Sequence, residues 1–301
     1  MLSLIALTSL KAQNENKVKE SLDFEYYDGK YIFIKTLVNK KDSLLFYFDT
    51  GATSSLINKS KADKCGIIPN HSNSVMGAGG DLNYKIARRQ GFRFGDIKLK
   101  KVDLVIDDLS RLEKKLEHPL DGIVGYSLIK KYITEVNIDK KKINLYKFNA
   151  KLDYSGYTAI DFEFKNGIPI PQFEISFSLN NGKMYKGIVL FDSGAGLSLL
   201  VNTPFDKKHK LSEQIKDKSV VRLDNLSKKS ESTILKIKSI KLGGKSIENV
   251  EIMVSKDKAG VSALEGYLGI LGAEIINKFN YILDYKRMKL YLKPNKSFYK
   301  K

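Results

Sequence analysis

Residues 44–57, LLFYFDTGATSSLI, have a near copy at residues 187–200, GIVLFDSGAGLSLL. Each copy is an apolar run that ends in an aspartate, followed by a small hydroxyl residue, a glycine and an alanine. The likeness extends beyond these stretches. Asp49 corresponds to Asp192, Gly95 and Val102 to Gly243 and Val250, Gly122 to Gly269, and Asp139 to Asp284, at offsets of 143, 148, 147 and 145 residues. Markers that keep their order and nearly their spacing identify a duplicated unit of about 140 residues.

Each unit reads mainly as strands. YIFIKTLV (31–38), VDLVIDDL (102–109), IPQFEISFSL (170–179) and VEIMV (250–254) alternate or run in β-branched and aromatic residues, with Gly, Asn, Asp and Lys at the turns between. The only helical candidates are YSLIKKY from residue 126 and AEIINKF from residue 273. The fold class expected is all-β: two duplicated β lobes with a few short helices. The polar, Gly-containing junction AKLDYSGY (150–157) divides a first lobe over 13–152 from a second over 153–301.

Composition narrows the function classes. The chain has 301 residues, 42% of them hydrophobic, which is enough to build a core. Lys and Arg number 52 against 34 Asp and Glu, a formal charge of +18. The excess is scattered lysine and its densest clusters, KKK (140–142) and KKHK (207–210), are short, so the charge reads as a solvated surface. No nucleic-acid-binding signature accompanies it, and a weak association with anionic surfaces is the most the charge implies. Cys65 is the single cysteine and reads as a small buried hydrophobe. His71, His118 and His209 lack metal-ligand spacing and read as surface or loop residues, so neither a metal nor a cofactor is expected. The start, MLSLIALTSLKAQN, has an apolar run and, at Ala12, the kind of small residue that ends a secretory signal, but no basic residue precedes the run. Either the true start lies upstream or the match is accidental. An exported protein, periplasmic or extracellular, is the expectation, with residues 1–12 as a truncated signal.

An aspartate closing a buried strand is a costly place for a charge. A single Asp-Thr-Gly reads best as an Asx-type turn closing a hairpin. Two copies in a duplicated unit change that reading. If the lobes face each other about a pseudo-twofold axis, the equivalent turns meet there and bring Asp49 and Asp192 together. Two adjacent carboxylates share one proton, so one acts as base and the other as acid. A water held between them can then attack a substrate carbonyl with neither metal nor covalent intermediate, which is the chemistry of peptide hydrolysis.

At this point the chain resembles the aspartic protease superfamily, whose active-site signature is D-[TS]-G-A with apolar flanks. Ala52 and Ala195 are similar to the retropepsin pattern, while the single-chain duplication resembles pepsin. The match is with bacterial aspartyl proteases that carry two retropepsin-like lobes in one chain, and it runs from about residue 25 to 295. It includes an apolar-apolar-Gly element packed beneath each catalytic turn, here IVG (123–125) and ILG (270–272). The resemblance implies an acid-protease fold, an aspartic endopeptidase acting on peptide or protein substrates, and Asp49 and Asp192 as the dyad. It further implies supporting turns formed by Thr50, Gly51 and Ala52 and by Ser193, Gly194 and Ala195, and a monomer built as an intramolecular pseudo-dimer. It also implies a substrate-covering flap, for which Gly77, Ala78, Gly79 and Gly80 form a Gly-rich tip. The corresponding second-lobe stretch, VVRLDNLSKKS, lacks such glycines, so one flap is expected. Tyr84 is a candidate flap aromatic whose direction the sequence leaves open.

Neither lobe has a hydroxyl at the fourth motif position, where the pepsin branch donates a hydrogen bond to the ionised dyad. Losing that donor raises the apparent pKa values and sets the expected optimum at mildly acidic to near-neutral pH. The short segment ahead of residue 25 argues against activation by a large pro-segment. The competing readings are a non-catalytic peptide-binding protein of the cell envelope that uses the same cleft, and a basic anchoring protein whose charge is the working feature.

Overall fold

A computed structural model describes residues 18–39, 43–77, 80–215, 218–224 and 229–300. The segment 1–12 read as a signal lies outside the described residues, as do Ala78 and Gly79 of the flap tip. The first half supplies β1 (Glu20–Tyr27), β2 (Tyr31–Val38), β3 (Ser43–Phe48), β4 (Ser55–Asn58), β5 (His71–Gly77), β6 (Gly80–Phe94), β7 (Ile97–Asp107), β8 (Gly122–Val124), β9 (Ile133–Asn137) and β10 (Lys142–Tyr146). The second half supplies β11 (Thr158–Asp161), β12 (Gln172–Ser178), β13 (Met184–Phe191), β14 (Leu199–Val201), β15 (Lys218–Asp224), β16 (Lys229–Leu242), β17 (Lys245–Ser255), β18 (Tyr267–Leu271), β19 (Phe279–Asp284) and β20 (Lys289–Pro294).

These strands build two closed six-stranded barrels. The first runs β2-β3-β8-β4-β7-β6 and closes where Leu37 pairs with Arg93 and Val38 with Phe92. The second runs β12-β13-β18-β14-β17-β16 and closes through Ser176–Lys241, Phe177–Ile240 and Ser178–Ser239. Barrel closure removes free sheet edges, which a strand-rich chain must otherwise protect. The order of strands is the same in both, as a duplicated unit requires. A third, antiparallel sheet, β11-β20-β19-β9-β10-β1, takes three strands from each half. The halves meet in it where β9 pairs with β19 through Val136–Tyr281, Glu135–Ile282 and Thr134–Leu283.

Alternation decides which side chains fill the barrels. In β3, Phe46 and Phe48 point into the main core while Tyr47 points outward into a second cluster with Phe33, Leu120 and Ile123. The equivalent strand β13 sends Val189 and Phe191 inward and Leu190 outward, to Ile170, Tyr267 and Ile270. β19 is buried at every position because it is covered on both faces, Tyr281 and Leu283 toward the main core and Ile282 toward a cluster with Ile133 and Tyr146.

The helix expectation needs correction, and two further readings gain detail. Beyond the two expected helices, Tyr126–Ile129 and Ala273–Ile276, short helices form at Lys59–Lys64, Ser110–Leu116, Thr203–His209 and Leu211–Gln214. Each is too short to show an apolar stripe, and none buries more than one residue. The second lobe carries a β15–β16 hairpin, paired from Lys218–Leu235 to Asp224–Lys229, in the place of the first lobe's β5–β6 hairpin. Its sequence, VVRLDNLSKKS, contains no glycine. His118 lies in a loop, as expected, but is buried there: its ring stacks on Phe33 at 4.3 Å, and its Nε2 lies 2.8 Å from Glu25. Cys65 is buried in the main core.

Candidate active site

Each barrel presents its aspartate at the end of a buried strand, on a turn held from below. The Asp49 N–H donates to the Val124 carbonyl at 2.9 Å and the Asp192 N–H to the Leu271 carbonyl at 3.0 Å, as the parallel β3–β8 and β13–β18 pairings extend by one residue. The Tyr126 N–H reaches the Ala52 carbonyl at 3.0 Å, and the Ala273 N–H reaches the Ala195 carbonyl at 2.7 Å. Gly125 and Gly272 lie so close beneath these turns that a Cβ on either would overlap turn carbonyl oxygens. The IVG and ILG elements therefore support the turns as the resemblance implied.

The two turns meet. The Thr50 N–H donates to the Ser193 hydroxyl at 3.0 Å and the Ser193 N–H to the Thr50 hydroxyl at 2.8 Å, while that hydroxyl donates on to the Phe191 carbonyl at 2.9 Å. Thr50 and Ser193 are buried, which strengthens these bonds and makes losing one costly. Across this link, a Cβ on Gly51 would overlap the Asp192 carboxyl and a Cβ on Gly194 would overlap the Asp49 carboxyl. Each motif glycine thus leaves room for the other lobe's acid.

The carboxylates are hydrogen-bonded by their own turns. The Gly51 N–H donates to Asp49 Oδ1 at 2.7 Å; the Gly194 and Ala195 N–H groups donate to Asp192 Oδ1 at 2.8 and 3.2 Å. Burial raises the pKa of Asp49 well above the ordinary carboxylate range, and the adjacent Asp192 charge adds to the rise. Burial also raises Asp192, opposed by its bond to Asp49 and its two backbone donors. A pair of adjacent carboxyls whose pKa values are both raised retains one shared proton and titrates in two coupled steps. Ala52 and Ala195 offer no hydroxyl, so apart from the bond between the two acids the donors are backbone groups.

Both aspartates line a cleft of about 490 Å³ between the lobes. Thr53, Ser54 and Leu56 form one wall and Ile168, Pro169 and Ile170 the other. Tyr84 also lines it, so the β5–β6 hairpin overlooks the aspartates from its base; Gly77 and Gly80 are its last described pair. A larger groove of about 680 Å³ on the outside of the second barrel, near Thr158, Glu174 and Lys241, has no paired acids, so the smaller cleft is where acid–base chemistry can occur. Among the described residues no cluster of three or more His, Cys, Asp and Glu side chains could hold a metal ion.

Three features escaped sequence reasoning. The Tyr47 hydroxyl donates to the Ser193 carbonyl at 3.0 Å, a second tie between the lobes. The only sequence signal was that its repeat counterpart is Leu190. The wall Ile168–Ile170 is held by Gln172, which is fully buried: its Nε2 donates to the Lys165 and Ile168 carbonyls at 3.2 and 3.1 Å, and its Oε1 accepts from Tyr267 at 2.8 Å. Asn166 completes the network by donating to the Tyr267 hydroxyl at 3.0 Å. The third feature is Tyr31, which packs on Gly196.

Residues 34–128 match the family model described as aspartyl protease, a span that begins in β2 and includes Asp49, its turn and the IVG element beneath it. No curated protein matches the chain.

Proposed function

We propose that this chain, with an aspartyl-protease first lobe and a second barrel bearing the same motif, is an aspartic endopeptidase whose dyad is Asp49 and Asp192. The observation that carries the reading is the mutual fit of the turns, in which Gly51 makes room for Asp192 and Gly194 for Asp49. A turn that only closed a hairpin would have no need of this clearance across the lobe interface.

In the resting pair the proton resides on Asp49 and the charge on Asp192, whose Oδ1 holds two backbone donors. A water between them loses a proton to Asp192 as its oxygen attacks the peptide carbonyl carbon, and Asp49 donates its proton to the carbonyl oxygen. In the tetrahedral intermediate the C–N bond then breaks. The proton on Asp192 passes to the leaving nitrogen, the carbonyl re-forms by returning a proton to Asp49, and the starting state is restored. The apolar cleft walls favour an extended peptide with apolar side chains, and the backbone turns hold the carboxylates in place before substrate arrives.

The test is cleavage of an unfolded protein substrate from mildly acidic to neutral pH by wild type, Asp49→Asn and Asp192→Asn, with circular dichroism to confirm folding. Wild-type cleavage with a loss of about 10²–10⁴-fold or more in each folded variant is expected. An inert wild type, or full activity in either variant, overturns the proposal and leaves the cleft as a binding site.

A further inference from the structure

The pseudo-twofold relation allows the two halves of the interlobe cleft to be compared position by position. Gly196 stands four residues after Asp192, as Thr53 stands four after Asp49. Phe33 pairs with Tyr47 in the first barrel as Gln172 pairs with Leu190 in the second. Two residues earlier in each half stand Tyr31 and Ile170. Tyr31 with Gly196 on one side of the dyad is therefore the counterpart of Ile170 with Thr53 on the other.

The two pairs behave oppositely. Ile170 and Thr53 both line the open cleft. Tyr31 lies directly on Gly196, so close that a Cβ there would overlap its hydroxyl and ring. The turn that carries Tyr31 is fastened to the second lobe: the Lys30 carbonyl accepts from Asn277 Nδ2 at 2.7 Å, and Lys30 Nζ lies 3.2 Å from Glu274. Tyr31 also packs edge-on against Tyr47, the residue tied to Ser193. The open side is equally well fixed, by the Gln172–Tyr267–Asn166 network. Ile170 and Thr53 thus leave one side of the dyad open, while on the other the Tyr31 ring lies against Gly196.

We infer that Tyr31 is a specificity-determining residue that closes one side of the cleft, so that the protein selects bulky apolar side chains on one side of the scissile bond and only small ones close to the bond on the other. The inference rests on the peptidase reading for its kinetics but on the cleft alone for binding. A hydrophobic pocket gains about 10–200-fold in discrimination per methylene it accommodates, whereas a filled one rejects bulk by overlap. Gly196 belongs to the same device, because any larger residue there would displace the Tyr31 ring.

The experiment uses a peptide set with Phe or Ala at the two positions on each side of a constant cleavage site, and the same set with a reduced, uncleavable bond. For wild type the Phe-to-Ala ratio of kcat/KM is expected to exceed 1 on one side by about tenfold or more and to fall below 1 on the other. Tyr31→Ala is expected to raise the disfavoured ratio about tenfold and leave the favoured one unchanged, while Tyr31→Phe, which keeps the ring, retains the wild-type profile. Equal tolerance of Phe on both sides by wild type overturns the inference without any variant, as does a Tyr31→Ala profile identical to wild type. If no peptide is cut, the peptidase reading fails separately, and the Kd ratios of the uncleavable set then decide the asymmetry. Equal ratios, or no binding by any peptide, overturn the inference too.

Discussion

Thr50 and Ser193 exchange hydrogen bonds in both directions across the lobe interface, each main-chain N–H reaching the other's hydroxyl, at 3.0 and 2.8 Å. The two residues directly follow the aspartates, so the link sets how the carboxylates face each other. Replacing Thr50 by Val or Ser193 by Ala strands a buried N–H, which costs about 1–3 kcal/mol. Urea unfolding should show losses of that size for each single variant and a double-variant loss smaller than their sum, because both delete parts of one network. Thr50→Ser, which keeps the hydroxyl, should lie close to wild type.

Gly51→Ala and Gly194→Ala each place a methyl group where the opposite lobe's carboxyl lies. The turn or the acid must shift, and a displacement near 1 Å in a catalytic group costs about 10²-fold. Both variants should lose kcat by at least that factor while keeping the wild-type circular dichroism spectrum. A variant with full kcat would show that the acids need not face each other across this clearance.

Stability should depend on pH through Asp49. Its folded pKa is raised above the unfolded value, by burial first and Asp192 second. A group shifted in this direction contributes stability that is fully present below the unfolded pKa and lost as pH rises through the folded pKa. Asp49→Asn removes that loss. Its Tm should exceed that of wild type at neutral pH, and the gap should close as pH falls below the ordinary carboxylate range. A gap that widens on acidification would reverse the assigned direction.

The proposed mechanism requires one proton on the Asp49–Asp192 pair, so kcat/KM should follow a bell whose limbs are the two titrations of that pair. With both carboxyls raised and no hydroxyl at residues 52 and 195, the bell should centre at mildly acidic to near-neutral pH. A maximum well below about pH 3 would contradict it.

The Tyr47 hydroxyl should act purely as a donor. Burial, reinforced by Asp49 and Asp192, raises its pKa well above the usual phenol value, so it stays protonated throughout the working range. Tyr47→Phe leaves the Ser193 carbonyl without this partner and should destabilise the protein by about 1–2 kcal/mol, measured by urea unfolding. The same measurement on Leu190→Ala would report only lost packing, since Leu190 makes no such bond.

The duplication, the strand-rich lobes and the two D-[TS]-G-A turns were legible in the residues because they rest on short-range rules. Alternation places Phe46 and Phe48 on one face, and an apolar run ending in an acid marks a turn of unusual cost. The four further short helices were not legible, because segments such as Lys59–Lys64 are under two turns and bury a single alanine, leaving no period to detect. The direction of Tyr84 became clear only once β6 was paired with β5 and β7, since strand register sets which face a side chain takes.

What the sequence by itself determined is that two equivalent halves exist, each offering one acid. Only the tertiary structure decided that Thr50 bonds to Ser193, that Gly51 faces Asp192, and that Tyr31 lies against Gly196 on one side of the dyad while Ile170 leaves the other open. The physical reason is that a repeat specifies what is alike in the two lobes. The differences, Tyr47 against Leu190 and Tyr31 against Ile170, acquire consequences only when the two surfaces are pressed together and each side chain meets a neighbour from the other lobe.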